Sequence, residues 1–227
     1  MRLNLLEDYS LLQVIIILGT YFFASSVKGV TGLGFSTVCL PFMVLTVGLK
    51  AALPLLIIPS LVSNLIVMRQ AGHFRTTFHR FWLMLLTTVI GVFLGLALLS
   101  KVDGTFAGAI LGLVLIFWCI FSYITPKFKL PAPKERSAGI ISGLATGIIN
   151  GLTGSQVVPL VPYLMALNLD RSVFIQATNI SFTLSSLIMA IGLTRLELFT
   201  SVSYTHLRAH ETREDRGWAR GGGKKKG

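Results

Sequence analysis

The sequence of 227 residues contains few charged side chains. Asp, Glu, Lys and Arg make up 13% of it, whereas a soluble globular domain carries about 25%. The charges are also clustered, so that long windows contain none of them: 9–27, 51–68, 81–100, 104–126, 137–169 and 172–194. Because a helix needs about 20 mainly apolar residues to cross a bilayer, this pattern excludes an ordinary soluble domain and predicts an integral membrane protein.

Carboxylates, imidazoles and cysteines are scarcer still in the apolar segments. His73 and His79 lie in a linker, so a nucleophile such as Ser155 has no base beside it. An intramembrane hydrolase is therefore the least favoured function, and we expect no enzyme. A cationic substrate lacks a buried counter-charge, and an intramembrane proton relay lacks its usual carriers. Cys39 and Cys119 are too few for a disulfide framework or a metal site, and no cofactor is expected.

The formal charge of +11 does not indicate a nucleic-acid partner, because the basic residues flank the apolar segments. Eight such segments are predicted: 9–27, 33–48, 51–68, 81–100, 104–124, 138–152, 155–167 and 172–190. The first is read as a retained anchor, since the acidic Glu7 and Asp8 precede a long apolar run, unlike the basic start of a cleaved signal peptide. Segments 33–48 and 155–167 are short for full spans. They are consistent with half-helices, with steeply placed spans or with arms of re-entrant hairpins.

Loop charge favours one topology, because Lys and Arg prefer the cytoplasmic side. If each of the first five segments crosses once, then Lys28 and the two basic linkers, 69–80 and 126–137, all face the cytoplasm. If 33–48 returns to its own side, the two linkers face opposite compartments. The first arrangement fits better, and it would make the two halves inverted repeats.

A glycine-bracketed break occurs twice in the apolar sequence. The first copy is Gly29-Val30-Thr31-Gly32-Leu33-Gly34, followed by Pro41, and the second is Gly151-Leu152-Thr153-Gly154-Ser155-Gln156, followed by Pro159 and Pro162. Glycine and proline free backbone polar groups, which are tolerated in hydrocarbon only where protein or a polar cavity satisfies them. Paired interruptions in two halves point to the substrate site of a transporter.

The repeat sets the expected fold and domain organisation. We predict an all-α polytopic bundle with a first repeat over 1–125, a basic cytoplasmic linker over 126–137 and a second repeat over 138–200. From residue 201 the character changes: 201–212 resembles a read-through of a sequencing-library adapter, and the chain ends in a Gly/Lys run. We expect 201–227 to be a disordered artefact that truncates the second repeat; a genuine basic tail is the alternative.

Runs of glycine at spacing four have a different expected role. They are Gly91-x-x-x-Gly95, the run from Gly104 to Gly112 and the run from Gly139 to Gly151. Small residues at this spacing let membrane helices approach closely. We therefore expect these runs to pack helices rather than to bind substrate.

At the breaks, polar side chains favour contact with a substrate. A helix restarting at Phe35 or at Val157 would present free N–H groups and the positive end of its dipole to an anion. Hydroxyl and amide groups would complete a neutral cradle. The predicted binding residues are Gly29, Thr31, Gly32, Gly34, Asn150, Gly151, Thr153, Gly154, Ser155 and Gln156. A carrier for a small anionic solute is favoured, and an anion channel using the same cradle is the alternative.

These motifs resemble the TauE/SafE family of bacterial membrane permeases over about residues 9–200. The marks are Gly29-x-Thr-Gly32-x-Gly34, the repeat from Gly147 to Gly154 and the Ala177-Thr178-Asn179 helix. Ser155-Gln156 departs from the small pair usual in that family. The resemblance implies a multi-pass protein of the bacterial inner membrane that moves sulfite or an organosulfonate without a cofactor.

Overall fold

The computed structural model describes residues 10–124 and 129–195. Over these residues it contains eight α-helices and one 3₁₀ turn, Ala132–Lys134, but no strand. The helices are α1 Leu11–Thr31, α2 Phe35–Val47, α3 Leu49–Ala71, α4 Phe74–Leu99, α5 Gly104–Ile124, α6 Glu135–Thr153, α7 Leu160–Ala166 and α8 Arg171–Arg195. This confirms the predicted all-α polytopic bundle. Residues 201–227 lie outside the described part of the chain.

Length and apolar character distinguish the candidate membrane-spanning helices from the other helices. Helices α1, α3, α4, α5 and α8 are long and apolar enough to cross a membrane. At about 1.5 Å per residue, the 13 residues of α2 and the seven of α7 are shorter than the hydrocarbon core, which is about 30 Å thick. These two helices are the short segments that follow the two breaks.

Contacts between α1 and α3 show how α2 runs. The Tyr21 hydroxyl donates to the Leu55 carbonyl oxygen over 2.7 Å, and one turn or more further along both helices Lys28 Nζ donates to Asn64 Oδ1. The two helices therefore run in the same direction. Because α1 and α3 are parallel, the short α2 has to carry the chain back to the end of the bundle where α1 began. This favours a segment 33–48 that crosses the membrane rather than one that re-enters on its own side.

The two halves enter the bundle from opposite ends. Arg80, near the start of α4, forms an ion pair of 2.8 Å with Glu135 at the start of α6. The described parts of the two basic linkers therefore lie at one end of the bundle, as expected. Helix α6 begins at that end, whereas α1 begins at the other. This is the geometry of inverted repeats.

The halves meet where α4 packs on α6 without intervening side chains. A Cβ on Gly91 would lie 2.9 Å from the Cα of Gly147, and a Cβ on Gly95 would lie 2.8 Å from the Cα of Gly151. Helix α8 then packs against both α3 and α4. The close glycine contact confirms the packing role expected for these two runs, and it fixes the position of the second break, which ends α6.

The third glycine run behaves differently. On α5, a Cβ at Gly108 would have its nearest neighbour at 3.9 Å, and one at Gly112 would meet nothing within 4 Å. The prediction of close helix packing is wrong for this run. Most of α5 presents its side chains outward, with Leu113, Phe117 and Ile120 exposed.

Substitution of Gly91 by alanine tests the α4–α6 contact. The added methyl would meet the carbonyl oxygen of Leu144 and force the helices apart, so we expect Gly91→Ala to cost about 1–3 kcal/mol of stability. Gly112→Ala is the matched control, because it adds the same atom in open space and removes a flexible helical glycine; it should be neutral or stabilising by about 0.5–1 kcal/mol. Thermal unfolding in detergent measures both. Equal melting temperatures would contradict the packing role.

Candidate functional site

The two breaks have the same backbone geometry. Gly32 ends α1 with φ +77°, and its N–H donates to the Lys28 carbonyl oxygen over 2.7 Å. Gly154 ends α6 with φ +80°, and its N–H donates to the Asn150 carbonyl oxygen over 2.7 Å. Glycine is required because this left-handed conformation is strained for residues with a Cβ. The two copies of the sequence motif thus have the same local backbone geometry.

The threonine before each glycine shapes the break. Thr31 Oγ1 accepts from the Leu33 N–H, and Thr153 Oγ1 accepts from the Ser155 N–H, both over 3.2 Å. Each hydroxyl also lies close to the carbonyl oxygen four residues earlier, at 2.9 Å for Thr31 and 2.7 Å for Thr153. The two threonines therefore satisfy backbone groups that the interruption leaves free.

The chain leaves the two breaks differently. Helix α2 begins at Phe35, as predicted. The second restart, expected at Val157, is wrong, because α7 begins only at Leu160, after Pro159. Proline disfavours a helical residue before it, so 155–158 stays non-helical. With only seven residues in α7, the second break offers side chains to a solute rather than a strong helix dipole.

The breaks meet at one small buried cavity near the midpoint of α3. It measures about 20 Å³. Its polar lining comes from Ser36 and Gln156 at the two breaks, Ser60 on α3 and Ser186 on α8, and Gly154 forms part of its wall. A cavity of this size holds about one water molecule. The described conformation therefore leaves room there for no solute much larger than water.

Hydrogen bonds pair the four polar groups across the cavity. Ser36 Oγ lies 3.3 Å from Ser60 Oγ, and Gln156 Nε2 donates to Ser186 Oγ over 3.1 Å. Each pair joins a break to the long helix that follows it, α3 in the first repeat and α8 in the second. The site thus lies between the repeats, where transporters of inverted-repeat architecture bind their solutes.

Several buried polar atoms around the second break have no hydrogen-bond partner. They are both amide atoms of Asn150, Ser155 Oγ and Gln156 Oε1, and all three residues are at most 4% exposed. A buried polar group without a partner costs about 1–3 kcal/mol. Such groups are usually satisfied by water or a ligand, so this cluster is suited to bind a polar solute.

The first break depends on the second half of the chain. Asn179 on α8 donates from Nδ2 to the Gly32 carbonyl oxygen over 3.1 Å, and to the Ile175 carbonyl oxygen over 2.8 Å. A carbonyl freed at the interruption is thereby satisfied inside the protein, as a low-dielectric environment requires. Asn179 is fully buried and acts here as a link between the repeats.

The predicted binding residues are not all brought together. Gly154 and Gln156 line the cavity, whereas Asn150, Thr153 and Ser155 are buried without lining it. Gly29 and Thr31 lie on an exposed face of α1, whereas Gly32 is buried and Gly34 is half-buried. A Cβ on Gly151 would lie 2.8 Å from the Leu96 nitrogen, so this glycine is in contact with α4 rather than with the cavity.

Lys28 does not lie where the charge pattern of the sequence predicts. It was expected in a cytoplasmic loop, but it lies in the last turn of α1 and is only 3% exposed. The neutral cradle is therefore also wrong, because a buried cation lies beside the first break. The repeat register could have revealed it, since Lys28 and Asn150 take the same place before Gly29 and Gly151.

A larger groove of about 830 Å³ lies between the end of α5, α6 and α7. Its lining is dominated by apolar side chains such as Trp118, Phe121 and Ile141. Its polar residues, among them Lys129 and Tyr163, are set in this apolar wall, and the groove includes no residue of the first break. The polar cavity between the repeats, although smaller, is the better candidate for a solute site.

A multi-pass bundle with two inverted, broken-helix repeats around a buried polar cavity has the architecture of a membrane transporter. A family model described as "Sulfite exporter TauE/SafE" matches residues 17–209. The chain therefore belongs to the TauE/SafE family, whose members are transporters of small solutes rather than enzymes. The match ends within the predicted tail. Searches of curated proteins and of solved structures gave no match.

A comparison of alanine substitutions at Gly154 and Gly34 tests whether the space beside Gly154 is too small for a side chain. Both have positive φ, +80° and +89°, so alanine costs each about 1–2 kcal/mol of backbone strain. Only at Gly154 would the new Cβ overlap a neighbour, the Leu53 side chain. We expect Gly154→Ala to lower the melting temperature clearly more than Gly34→Ala does. Equal losses would show that Gly154 is needed for its conformation alone.

Proposed function

We propose that the protein is a secondary permease of the bacterial inner membrane that moves a small anion, sulfite or an organosulfonate, by alternating access around the two breaks. The observation that carries the proposal is the single buried cavity to which both breaks contribute. Membership of the sulfite-exporter family supports the solute class. The serine hydroxyls and amides of the cavity are suitable donors for sulfur-bound oxygens.

The size of the cavity supports alternating access. At about 20 Å³ the site is too small for the four heavy atoms of sulfite, so a solute can enter only when the repeats move apart. The inverted arrangement of the repeats supplies two equivalent ways to open, one toward each side of the membrane. Glycines with positive φ at both breaks, Gly32 and Gly154, are suitable points for a change in backbone direction.

Counterflow in proteoliposomes tests the function. Vesicles containing the full chain and loaded with unlabelled sulfite should accumulate ³⁵S-sulfite transiently, because a carrier exchanges solute across the membrane. External taurine or sulfoacetate should inhibit this uptake if organosulfonates share the site. Sulfite flux that neither saturates nor shows counterflow would favour the channel alternative. No flux above that of empty vesicles would contradict the proposal.

Substitution of Gln156 tests whether the cavity carries the flux. Gln156→Leu keeps a similar volume but removes both polar atoms of the amide: Nε2, which donates to Ser186, and Oε1, which has no partner in the unmodified protein. Loss of one neutral hydrogen bond to a solute corresponds to about 0.5–1.5 kcal/mol, so we expect sulfite counterflow to fall about 2- to 10-fold. Gln70→Leu, on the exposed end of α3, is the matched control and should retain full counterflow. Normal counterflow in Gln156→Leu would show that transport does not depend on this polar side chain of the cavity.

A further inference from the structure

Lys28 is a buried cation whose described partners are all neutral. Its Nζ donates to Ser63 Oγ over 3.1 Å and to Asn64 Oδ1. Within residues 10–124 and 129–195, the only ion pair joins Arg80 to Glu135, so none of the acidic side chains described there neutralises Lys28. An ammonium group has three donors, and the described side-chain contacts use two.

An uncompensated buried charge is costly in a membrane protein. Removing an ammonium group from water costs several kcal/mol even after the protein has relaxed. Ionisable residues inside spanning helices are therefore rare, and they mark pathways for ions and solutes. A helix-packing role could be met by a neutral side chain at lower cost, so the charge itself calls for an anionic partner.

The position of Lys28 joins this charge to the cavity. Its partners Ser63 and Asn64 lie on α3, one turn beyond Ser60, which lines the cavity. Ser63 Oγ also donates to the Ser60 carbonyl oxygen over 3.0 Å. The cation is thus held at the edge of the site by a short stripe of polar groups, on a flexible four-carbon stem that can reach a new partner.

The second repeat carries a neutral counterpart at the equivalent place. Asn150 accepts the same helix-ending bond from Gly154 as Lys28 accepts from Gly32. Its side chain is fully buried, and neither amide atom has a partner. The first repeat therefore contributes a positive charge, Lys28, and the second contributes an uncharged amide, Asn150, which can both donate and accept a hydrogen bond. Together these groups match a solute with one net negative charge.

We propose that Lys28 supplies the single counter-charge for a monoanionic sulfur oxyanion, a sulfonate group or hydrogensulfite, and that Asn150 hydrogen-bonds to the same solute. This inference rests on the proposed function and deepens it, because it assigns the charge selectivity of the site to one side chain. On binding, the Lys28 ammonium group exchanges its neutral oxygen partners for the anion. The solute then brings the neutralising charge that the described part of the protein lacks.

Ligand-induced shifts in melting temperature test the charge requirement in the unmodified chain. Methanesulfonate and methanesulfonamide have nearly the same shape, but only the first is charged at neutral pH. We expect methanesulfonate to stabilise the full chain in detergent, as a ligand that binds only the folded state does, and methanesulfonamide to have little effect. Sulfite in a parallel titration distinguishes hydrogensulfite from an organic sulfonate. Equal stabilisation by the two methane derivatives would overturn the inference.

Substitution then assigns the effect to Lys28. Lys28→Met keeps the length of the side chain and removes its charge; loss of a charge-assisted bond should weaken methanesulfonate binding about 10- to 100-fold. Lys28→Arg keeps the charge and should retain selectivity for methanesulfonate over methanesulfonamide. Lys101→Met, on an exposed turn, removes the same charge and should bind as the unmodified chain does.

The outcomes separate this inference from the proposed function. Sulfite counterflow in the unmodified chain, together with unchanged methanesulfonate affinity in Lys28→Met, would overturn the role of Lys28 and leave the permease function standing. Absence of both counterflow and anion binding in the unmodified chain would overturn both. If Lys28→Met does not fold, Lys28→Gln is the second variant, because its amide can still donate to Ser63 or Asn64 but carries no charge; unchanged methanesulfonate affinity in Lys28→Gln would overturn the role of Lys28.

Discussion

Backbone polar groups released inside a membrane have to be satisfied by the protein itself. Two helices of this chain, α1 and α6, end at Gly32 and Gly154, and both glycines are buried inside the bundle. Each threonine that precedes the glycine satisfies an N–H of its own break. Asn179 reaches from the other repeat to the Gly32 carbonyl oxygen. Satisfying the breaks thus ties the two repeats together.

Close packing places the second break and leaves the first more open. Helix α6 contacts α4 backbone to backbone, so that Asn150, Gly151 and Gly154 are all buried. At the first break Lys28 and Gly32 are buried too, but the position equivalent to Gly151 is exposed, and a Cβ at Gly29 would meet nothing within 4 Å. Two copies of one motif therefore lie in different surroundings. The second contains four buried polar atoms without a hydrogen-bond partner, and the first contains the charged Lys28.

The sequence predicted the helices and breaks well, because both depend on local patterns. Charge-free windows marked the spans, and Gly32 and Gly154 end their helices as expected. The start of α7 at Leu160 differs from the expected Val157, because Pro159 disfavours a helical conformation in the residue before it. Lys28 was missed because a basic residue at the edge of an apolar window is typical of a loop. The cavity itself depends on how α3 and α8 pack together. The sequence does not specify this packing, because the apolar residues of these two helices show only a weak helical periodicity.

The central claim is that the two breaks form one solute site. It is tested most directly by solute protection of cysteines placed at Ser36 and at Gln156, in a chain whose Cys39 and Cys119 are replaced by alanine. Methanesulfonate should slow alkylation by N-ethylmaleimide at both positions, and at similar concentrations, while leaving a cysteine at the exposed Ser100 unaffected. Protection at only one position, or at neither, would contradict a shared site.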